Sequence, residues 1–156
     1  VFLPGHDESG TIALRLQEAG VRSFLLGGDN WSEPSFLDAG GAKIRRGYYS
    51  SHWTEDSPDD RARAFVERYS RRGELGAGAA LGYDAVFLLA DAIRRAGVPE
   101  RSRIRAALEE TRTFEGVTGH MDFSSSRDPV KATVIMEIVD GRPRYLKTFK
   151  PSTDQS

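Results

Sequence analysis

The sequence predicts an α/β protein in which parallel strands are joined by crossover helices, and three observations support this fold class. The chain opens with an apolar strand end at Val1–Leu3, a helical segment at 8–19 and a second apolar strand at Phe24–Leu26. A helix between consecutive strands is the usual connection between parallel neighbours. Residues 54–112 then carry helical patterns alone, and β-rich runs return after residue 118. Together these features favour a sheet that is covered by helices.

The first helix is defined by its apolar face and by its two ends. Ile12, Leu16 and Ala19 recur at the spacing of one helix face. Asp7 is placed to cap the N-terminus, and Gly20 is a typical C-terminal stop. The elements predicted next are a strand ended by Gly27–Gly28, a short helix at 31–39 and a strand at 47–52.

Three amphipathic helices are predicted in the middle of the chain. Ser57 caps the first, Pro58 takes its first helical position, and the helix ends near Arg72–Gly73. The second spans 79–96, and the third ends near Thr111. Amphipathic helices need an apolar partner, and no strand is predicted between them. We therefore expect most of the sheet that they cover to lie outside this sequence.

The chain is expected to end in strands at 119–123, 133–139 and 144–149. Asp140–Gly141 between two β-rich runs is a strong hairpin signal. The polar tail at 151–156 is expected to fray. The start without Met, inside a strand, favours the C-terminal portion of a longer protein, so that no signal peptide is expected in this sequence.

Composition excludes several classes of function. The 156 residues are 38% hydrophobic and 29% charged, as in an ordinary soluble domain. The net charge of -1 gives no broad basic surface for nucleic acid or an anionic membrane. No apolar run approaches the roughly 18 residues of a membrane span. The absence of Cys excludes disulfides, Cys-ligated zinc and a thiol nucleophile, but it does not fix the compartment.

No catalytic or metal-binding set is predicted. The serines at 124–126 lack the context of a nucleophile and are predicted to form a turn, and the adjacent acids Asp59–Asp60 and Glu109–Glu110 point in different directions. The glycines lack a phosphate-loop Lys or a dinucleotide fingerprint. His6, Asp7 and Glu8 are neighbours that cannot readily converge on one ion. We therefore predict a protein that is not an enzyme and that has no metal or cofactor.

The order of several motifs resembles the branched-chain amino-acid (Leu/Ile/Val) type periplasmic solute-binding proteins of ABC transporters. Ala79–Val86 is the most specific of these motifs, and the resemblance covers nearly the whole chain. The segments that carry it are Phe2–Gly5, Leu16–Gly20, Leu26–Trp31, Gly47–Tyr49, Phe65–Tyr69, Ala79–Val86 and Phe114–Gly119.

The resemblance implies the type I periplasmic binding fold, with two parallel-sheet, Rossmann-like lobes joined by three crossings. It places 1–52 and 118–150 in lobe two and the helical block 53–117 in lobe one, with 151–156 as a tail. Two crossings would lie in this chain, the second of them with Glu115 as a hinge residue. The loop that grips the ligand carboxylate in the family has no counterpart here, so the chain would carry half of the site.

Four residues are predicted to contact a ligand. Asp29 follows a strand at the end where open α/β sheets bind ligands, and the resemblance assigns it to the ligand's α-ammonium group. A helix N-cap for the segment 32–39 is its alternative role. His6, after the first strand, is predicted as a contact residue or a solvated loop histidine. Tyr83 is predicted to line the cleft or to pack at the hinge, and Trp31 to line the cleft or to lie in the core.

The resemblance implies an extracytoplasmic solute-binding component of an ABC transporter. It would bind an amino acid or a related amide or carboxylate by hinge closure, and a membrane permease would recognise the closed form. The location would be periplasmic or extracellular, and a lipid anchor is compatible with it. Two alternatives stay open: a ligand-sensing domain of a receptor or regulator with the same fold, and a truncated fragment that self-associates through uncovered helices.

Overall fold

Within residues 1–73, 75–124 and 126–151, which the computed structural model describes, the chain forms five α-helices and eight strands. The predicted α/β class is confirmed. The predicted tail and the predicted serine turn lie partly outside these residues, at 152–156 and 125. The strands are β1 Phe2–Leu3, β2 Leu25–Gly27, β3 Arg46–Ser51, β4 Thr113–Gly116, β5 Gly119–Asp122, β6 Val130–Lys131, β7 Thr133–Val139 and β8 Arg142–Phe149. The helices are α1 Glu8–Glu18, α2 Pro34–Asp38, α3 Asp60–Tyr69, α4 Ala77–Ala96 and α5 Arg101–Glu109.

The elements form two compact units. The first contains Val1–Ser57 and Thr133–Phe149, and the second contains Pro58–Ala132. The first unit holds a five-stranded sheet of order β1-β2-β3-β7-β8, in which β1, β2, β3 and β8 run in one direction and β7 runs antiparallel to its neighbours β3 and β8. The predicted crossover from β1 through α1 to a parallel β2 is confirmed.

One face of this sheet carries the core of the first unit. Side chains alternate along β7, so that Val134, Met136 and Ile138 point inward. Tyr49 of β3 lies opposite Met136 and is buried with it. The core is completed by three side chains without solvent exposure from the segment that follows β2: Trp31, Phe36 and Ile44.

The turns of the first unit follow the sequence signals in two cases out of three. Gly20 ends α1 with φ of 81°, and Asp140 and Gly141 are both left-handed, as the predicted two-residue hairpin requires. Asp7 occupies the predicted N-cap position of α1, but its side chain makes no capping hydrogen bond. Its carboxylate instead accepts a hydrogen bond from the Ser35 hydroxyl at 2.7 Å, which ties the start of α1 to α2.

The first helix of the second unit begins three residues later than its predicted cap. Asp59 is the N-cap of α3, and its carboxylate accepts from the amides of Arg61 at 2.8 Å and Ala62 at 3.3 Å. The predicted cap Ser57 and first-turn Pro58 precede the helix. Asp59 holds the extended backbone that an N-cap needs, and its carboxylate is the acceptor aimed at the free amides.

In the second unit, the helices α3, α4 and α5 are followed by a small antiparallel sheet of β4, β5 and β6. The predicted long helix is confirmed as α4, which ends before the left-handed Gly97. The residue pattern alone did not predict the strands β4 Thr113–Gly116 and β6 Val130–Lys131. Large apolar side chains of α4 are exposed: Val86, Phe87, Leu89 and Ile93.

A buried carboxylate joins α4 to the turn between β4 and β5. Asp84 is 3% exposed, and its two oxygens accept from the amides of Val117 at 2.7 Å and Thr118 at 2.9 Å. Gly116 leaves the space that this carboxylate occupies. The Lys131 ammonium donates to the Thr118 hydroxyl at 2.8 Å. Burial lowers the pKa of Lys131, and the charge of Asp84 opposes that shift.

Among the described residues, no single helix is both long and apolar enough to cross a membrane. The pair Asp60–Arg72 and Ala77–Ala96 meets the length and composition criteria together, with a bend of 112° between them.

Candidate functional site

Three polar side chains follow the carboxyl ends of three neighbouring parallel strands in the first unit. His6 follows β1, Asp29 follows β2 and His52 follows β3 directly. Strand β2 lies between β1 and β3 in the sheet. Asp29 therefore follows the central strand of the three, and the two histidines follow its neighbours. The carboxyl edge of a parallel sheet is the usual position of ligands in open α/β folds.

Asp29 and His52 approach each other at this edge. The His52 Nε2 atom lies 3.5 Å from Asp29 Oδ2, which is an ion-pair distance when the imidazole is protonated. The Asp29 side chain is 54% exposed and that of His52 is 44% exposed. Solvent, and therefore a ligand, can reach both groups. The sequence did not predict His52 as a site residue.

The alternative role of Asp29 as a helix cap does not occur. The helix that follows begins at Pro34, its cap position is Glu33, and no side chain caps it. Asp29 instead begins a 3-10 turn, Asp29–Ser32, in which its backbone carbonyl accepts from the Ser32 hydroxyl at 2.6 Å. The Asp29 carboxylate is therefore available for contacts other than the capping of α2.

The turn that carries Asp29 is anchored by Trp31, and here the prediction of Trp31 as a ligand contact is wrong for this structure. The Trp31 side chain is fully buried, stacks on Phe36 with ring centroids 4.5 Å apart, and donates its indole N–H to the Ser9 hydroxyl at 3.0 Å. The ring occupies the space that a side chain at Gly27 would need. Trp31 is therefore a core residue, which was the other role considered for it, and its buried ring anchors the Asp29 turn.

His6 lies in an exposed loop that is closed by α1. Its carbonyl accepts from the backbone amide of Ser9 at 3.0 Å and from the Ser9 hydroxyl, and its own amide faces a Glu8 carboxylate oxygen at 3.4 Å. The imidazole is exposed at the edge of the sheet. Its role as a ligand contact stays a prediction.

Tyr83 lies in the second unit, in an aromatic cluster on α3 and α4. Its ring centroid is 5.1 Å from Phe65, 5.7 Å from Tyr69 and 4.5 Å from Phe87. The cluster lines an open groove of about 730 Å³. Tyr83 is half-buried there, and its predicted contact with a ligand remains a prediction.

The predicted hinge residue Glu115 lies on β4 of the second unit. Its carboxylate pairs with the Arg61 guanidinium at 3.2 Å and with the His120 imidazole. Within residues 1–73, 75–124 and 126–151, no group of three or more His, Asp or Glu is arranged to hold a metal ion.

The sequence profile of periplasmic binding proteins matches residues 5–142. The chain belongs to the periplasmic binding protein family. No curated protein matches the sequence significantly.

Solved structures of other periplasmic binding proteins share the fold. The leucine-binding protein LivK of Thermotoga maritima is 27% identical, with a TM-score of 0.86 over 96% of this chain and 44% of its own. The branched-chain amino-acid transporter substrate-binding protein LivJ of Streptococcus pneumoniae, in complex with isoleucine, is 28% identical, with a TM-score of 0.84 over 96% of this chain and 44% of its own. A solute-binding protein from R. palustris in complex with benzoate is 20% identical and shares the fold, with a TM-score of 0.76 over 95% of this chain and 42% of its own.

The chain thus spans less than half the length of these relatives. The resemblance to Leu/Ile/Val-type binding proteins and the type I fold are confirmed. In this periplasmic binding protein, the group of residues at the carboxyl edge of the first sheet is the arrangement whose geometry best suits ligand binding. We call His6, Asp29 and His52 the strand-end site.

Proposed function

We propose that this chain is part of an extracytoplasmic solute-binding protein that captures an amino acid, with Asp29 as the partner of the ligand's α-ammonium group. The observation that carries the proposal is the Asp29 carboxylate, which is half-exposed at the carboxyl edge of a parallel sheet and does not cap a helix. Hydrogen bonds between a carboxylate and an ammonium group are about twice as strong as neutral ones.

The setting of Asp29 supports this role. Trp31, two residues on, fixes the turn through its buried ring and its hydrogen bond to Ser9. A carboxylate on an anchored turn loses less conformational entropy on binding than one on a free loop. The strand-end site therefore presents a negative charge that is both accessible and held in place.

The relatives support the ligand class. LivK is a leucine-binding protein, and LivJ was solved with isoleucine. Because this chain corresponds to 44% of each, the remainder of the site would come from outside the matched region. By analogy with the family, lobes would close on the ligand because the closed form binds it more tightly, and a membrane permease would recognise that form outside the cytoplasm.

Titration calorimetry with a panel of amino acids tests the proposal on the native gene product that contains this chain. Asp29→Asn is expected to weaken binding of the best ligand by about tenfold to 150-fold, as for the loss of a charge-assisted hydrogen bond. Asp38→Asn is the matched control, because Asp38 is an exposed acid of the same unit at the end of α2, and it should leave affinity unchanged.

Two results would contradict the proposal. If no amino acid binds to the native protein, the ligand class is wrong. If an amino acid binds and Asp29→Asn retains the native affinity, the role of Asp29 is wrong.

A further inference from the structure

The strand-end site contains a second ionisable group next to the proposed ammonium partner. His52 follows β3 without an intervening residue, and its Nε2 atom is 3.5 Å from Asp29 Oδ2. The distance is long for a hydrogen bond but is well within the range at which two opposite charges attract. Both side chains are about half-exposed, so neither is committed to the core.

Protonated His52 and a ligand ammonium group would be attracted to the same carboxylate. A cation bound at Asp29 lies within a few ångströms of the His52 ring nitrogen, because the ring is already at ion-pair distance from that carboxylate. Two positive charges at such a separation repel each other, although solvent weakens the repulsion at half-exposed positions. Neutral imidazole carries no such penalty, and its ring nitrogen can accept a hydrogen bond.

Resting on the proposed function, we propose that His52 is a third binding residue of the strand-end site and a proton-linked counter-ion of Asp29. When its ring is protonated, His52 competes with the ligand's ammonium group for the Asp29 carboxylate, and a bound ammonium group in turn disfavours the protonated ring. Affinity therefore rises as pH increases through the range in which histidines lose their charge, which lies between pH 5 and 8.

Asp29, from the turn after β2, is the charged group that the structure brings to the His52 ring. Two further carboxylates lie on the α1 side of the site, where Asp7 accepts from the Ser35 hydroxyl and Glu8 faces the His6 amide. The other titratable groups on the described segments that form this edge are His6 after β1, the partly exposed Glu33 at the end of the Asp29 turn, and the exposed Glu55 and Asp56 after β3.

The test is the pH profile of amino-acid affinity in the native gene product, measured by calorimetry from pH 5.5 to 7.5 with the best ligand of the panel. Carboxylic acids of Asp ordinarily ionise near pH 3.9 and remain charged over this range. The native affinity is expected to rise about two- to fivefold, the size expected for coupling between exposed charges. Titrations in two buffers of different ionisation enthalpy should show proton release on binding.

His52→Gln should abolish most of this pH dependence and bind as tightly at pH 5.5 as at pH 7.5. His120→Gln is the matched control, because His120 also pairs with a carboxylate, that of Glu115, but in the second unit. It should keep the native profile. His6→Gln reports separately on the other histidine of the site and should also keep the slope.

The outcomes separate this inference from the proposed function. If an amino acid binds in an Asp29-dependent way but His52→Gln keeps the native slope, or weakens binding equally at every pH, the inference is wrong and the proposed function stands. A flat pH profile of the native protein would also show that the inference is wrong, and the proposed function would stand. If no amino acid binds at any pH, both are wrong.

Discussion

The buried carboxylate of Asp84 is expected to be the most sensitive polar position of the second unit. Substitution by Asn keeps the shape but replaces one acceptor oxygen with an NH2 group, which cannot accept from a backbone amide. One of the two hydrogen bonds from Val117 and Thr118 is then lost, and the other no longer involves a charge. Lys131 also loses the negative charge that opposes the effect of burial on its pKa.

The magnitude follows from burial and geometry. A hydrogen bond to a charged group contributes about 1.5–3 kcal/mol, and a buried amide left without a partner costs about 1–3 kcal/mol. Asp84 is 3% exposed, so water cannot readily replace the lost acceptor. We expect Asp84→Asn to lower the free energy of opening at the β4–β5 turn by about 3 kcal/mol, and the exchange rate of the two amides to rise about 100-fold.

Amide hydrogen exchange measured by NMR at Val117 and Thr118 is the appropriate assay, because it reports on the turn itself. Asp91→Asn is the matched control on the same helix: Asp91 pairs with Arg94 and Arg95 near the surface, and its loss should cost less than about 1 kcal/mol. Rapid exchange of both amides in the native protein, or equal effects of the two substitutions, would refute the argument that the Asp84 carboxylate holds the turn.

Two further predictions concern the core of the first unit. Gly27→Ala should lower the free energy of unfolding by about 1–3 kcal/mol, since the added Cβ would lie well under 3.0 Å from the Trp31 ring. Chemical denaturation followed by tryptophan fluorescence measures this loss. Gly28→Ala is the control, because its added Cβ meets nothing within 4 Å, and an equal loss in that variant would contradict the prediction. Burial raises the pKa of the Tyr49 hydroxyl, so the unfolded chain releases this proton at a lower pH than the folded chain does. The free energy of unfolding should therefore fall by up to about 1.4 kcal/mol per pH unit above pH 10. Tyr49→Phe should lose less stability over that range, and identical alkaline denaturation of the two proteins would disprove the burial effect.

Periodicity and turn chemistry predicted much of the fold. The helix α4 carries its apolar pattern over 20 residues, and Asp140–Gly141 has the composition that a two-residue hairpin demands. The sequence did not predict features in which two suitable residues compete for one role. Ser57 and Asp59 are both good caps in sequence, and the choice between them is made by the backbone conformation at Asp59.

The strand-end site was predicted in part. Asp29 and His6 were found because each follows a strand at a glycine-containing turn. His52 was missed because its importance depends on strand order, which brings the end of β3 beside the end of β2 and cannot be read from spacing along the chain. For Trp31 the sequence left a cleft wall and a core position open, because both favour a large aromatic ring. The space left by Gly27 places its ring inside instead.

The packing of the Trp31 ring over Gly27 also constrains how this protein can diverge. A side chain at position 27 and an indole at position 31 cannot occupy the same volume. Homologous lineages should therefore change the two positions together, with a residue larger than glycine at 27 accompanied by a smaller one at 31. A lineage that made this exchange would lose the buried anchor of the acidic turn. Such a lineage would need another contact to hold the acidic turn in place.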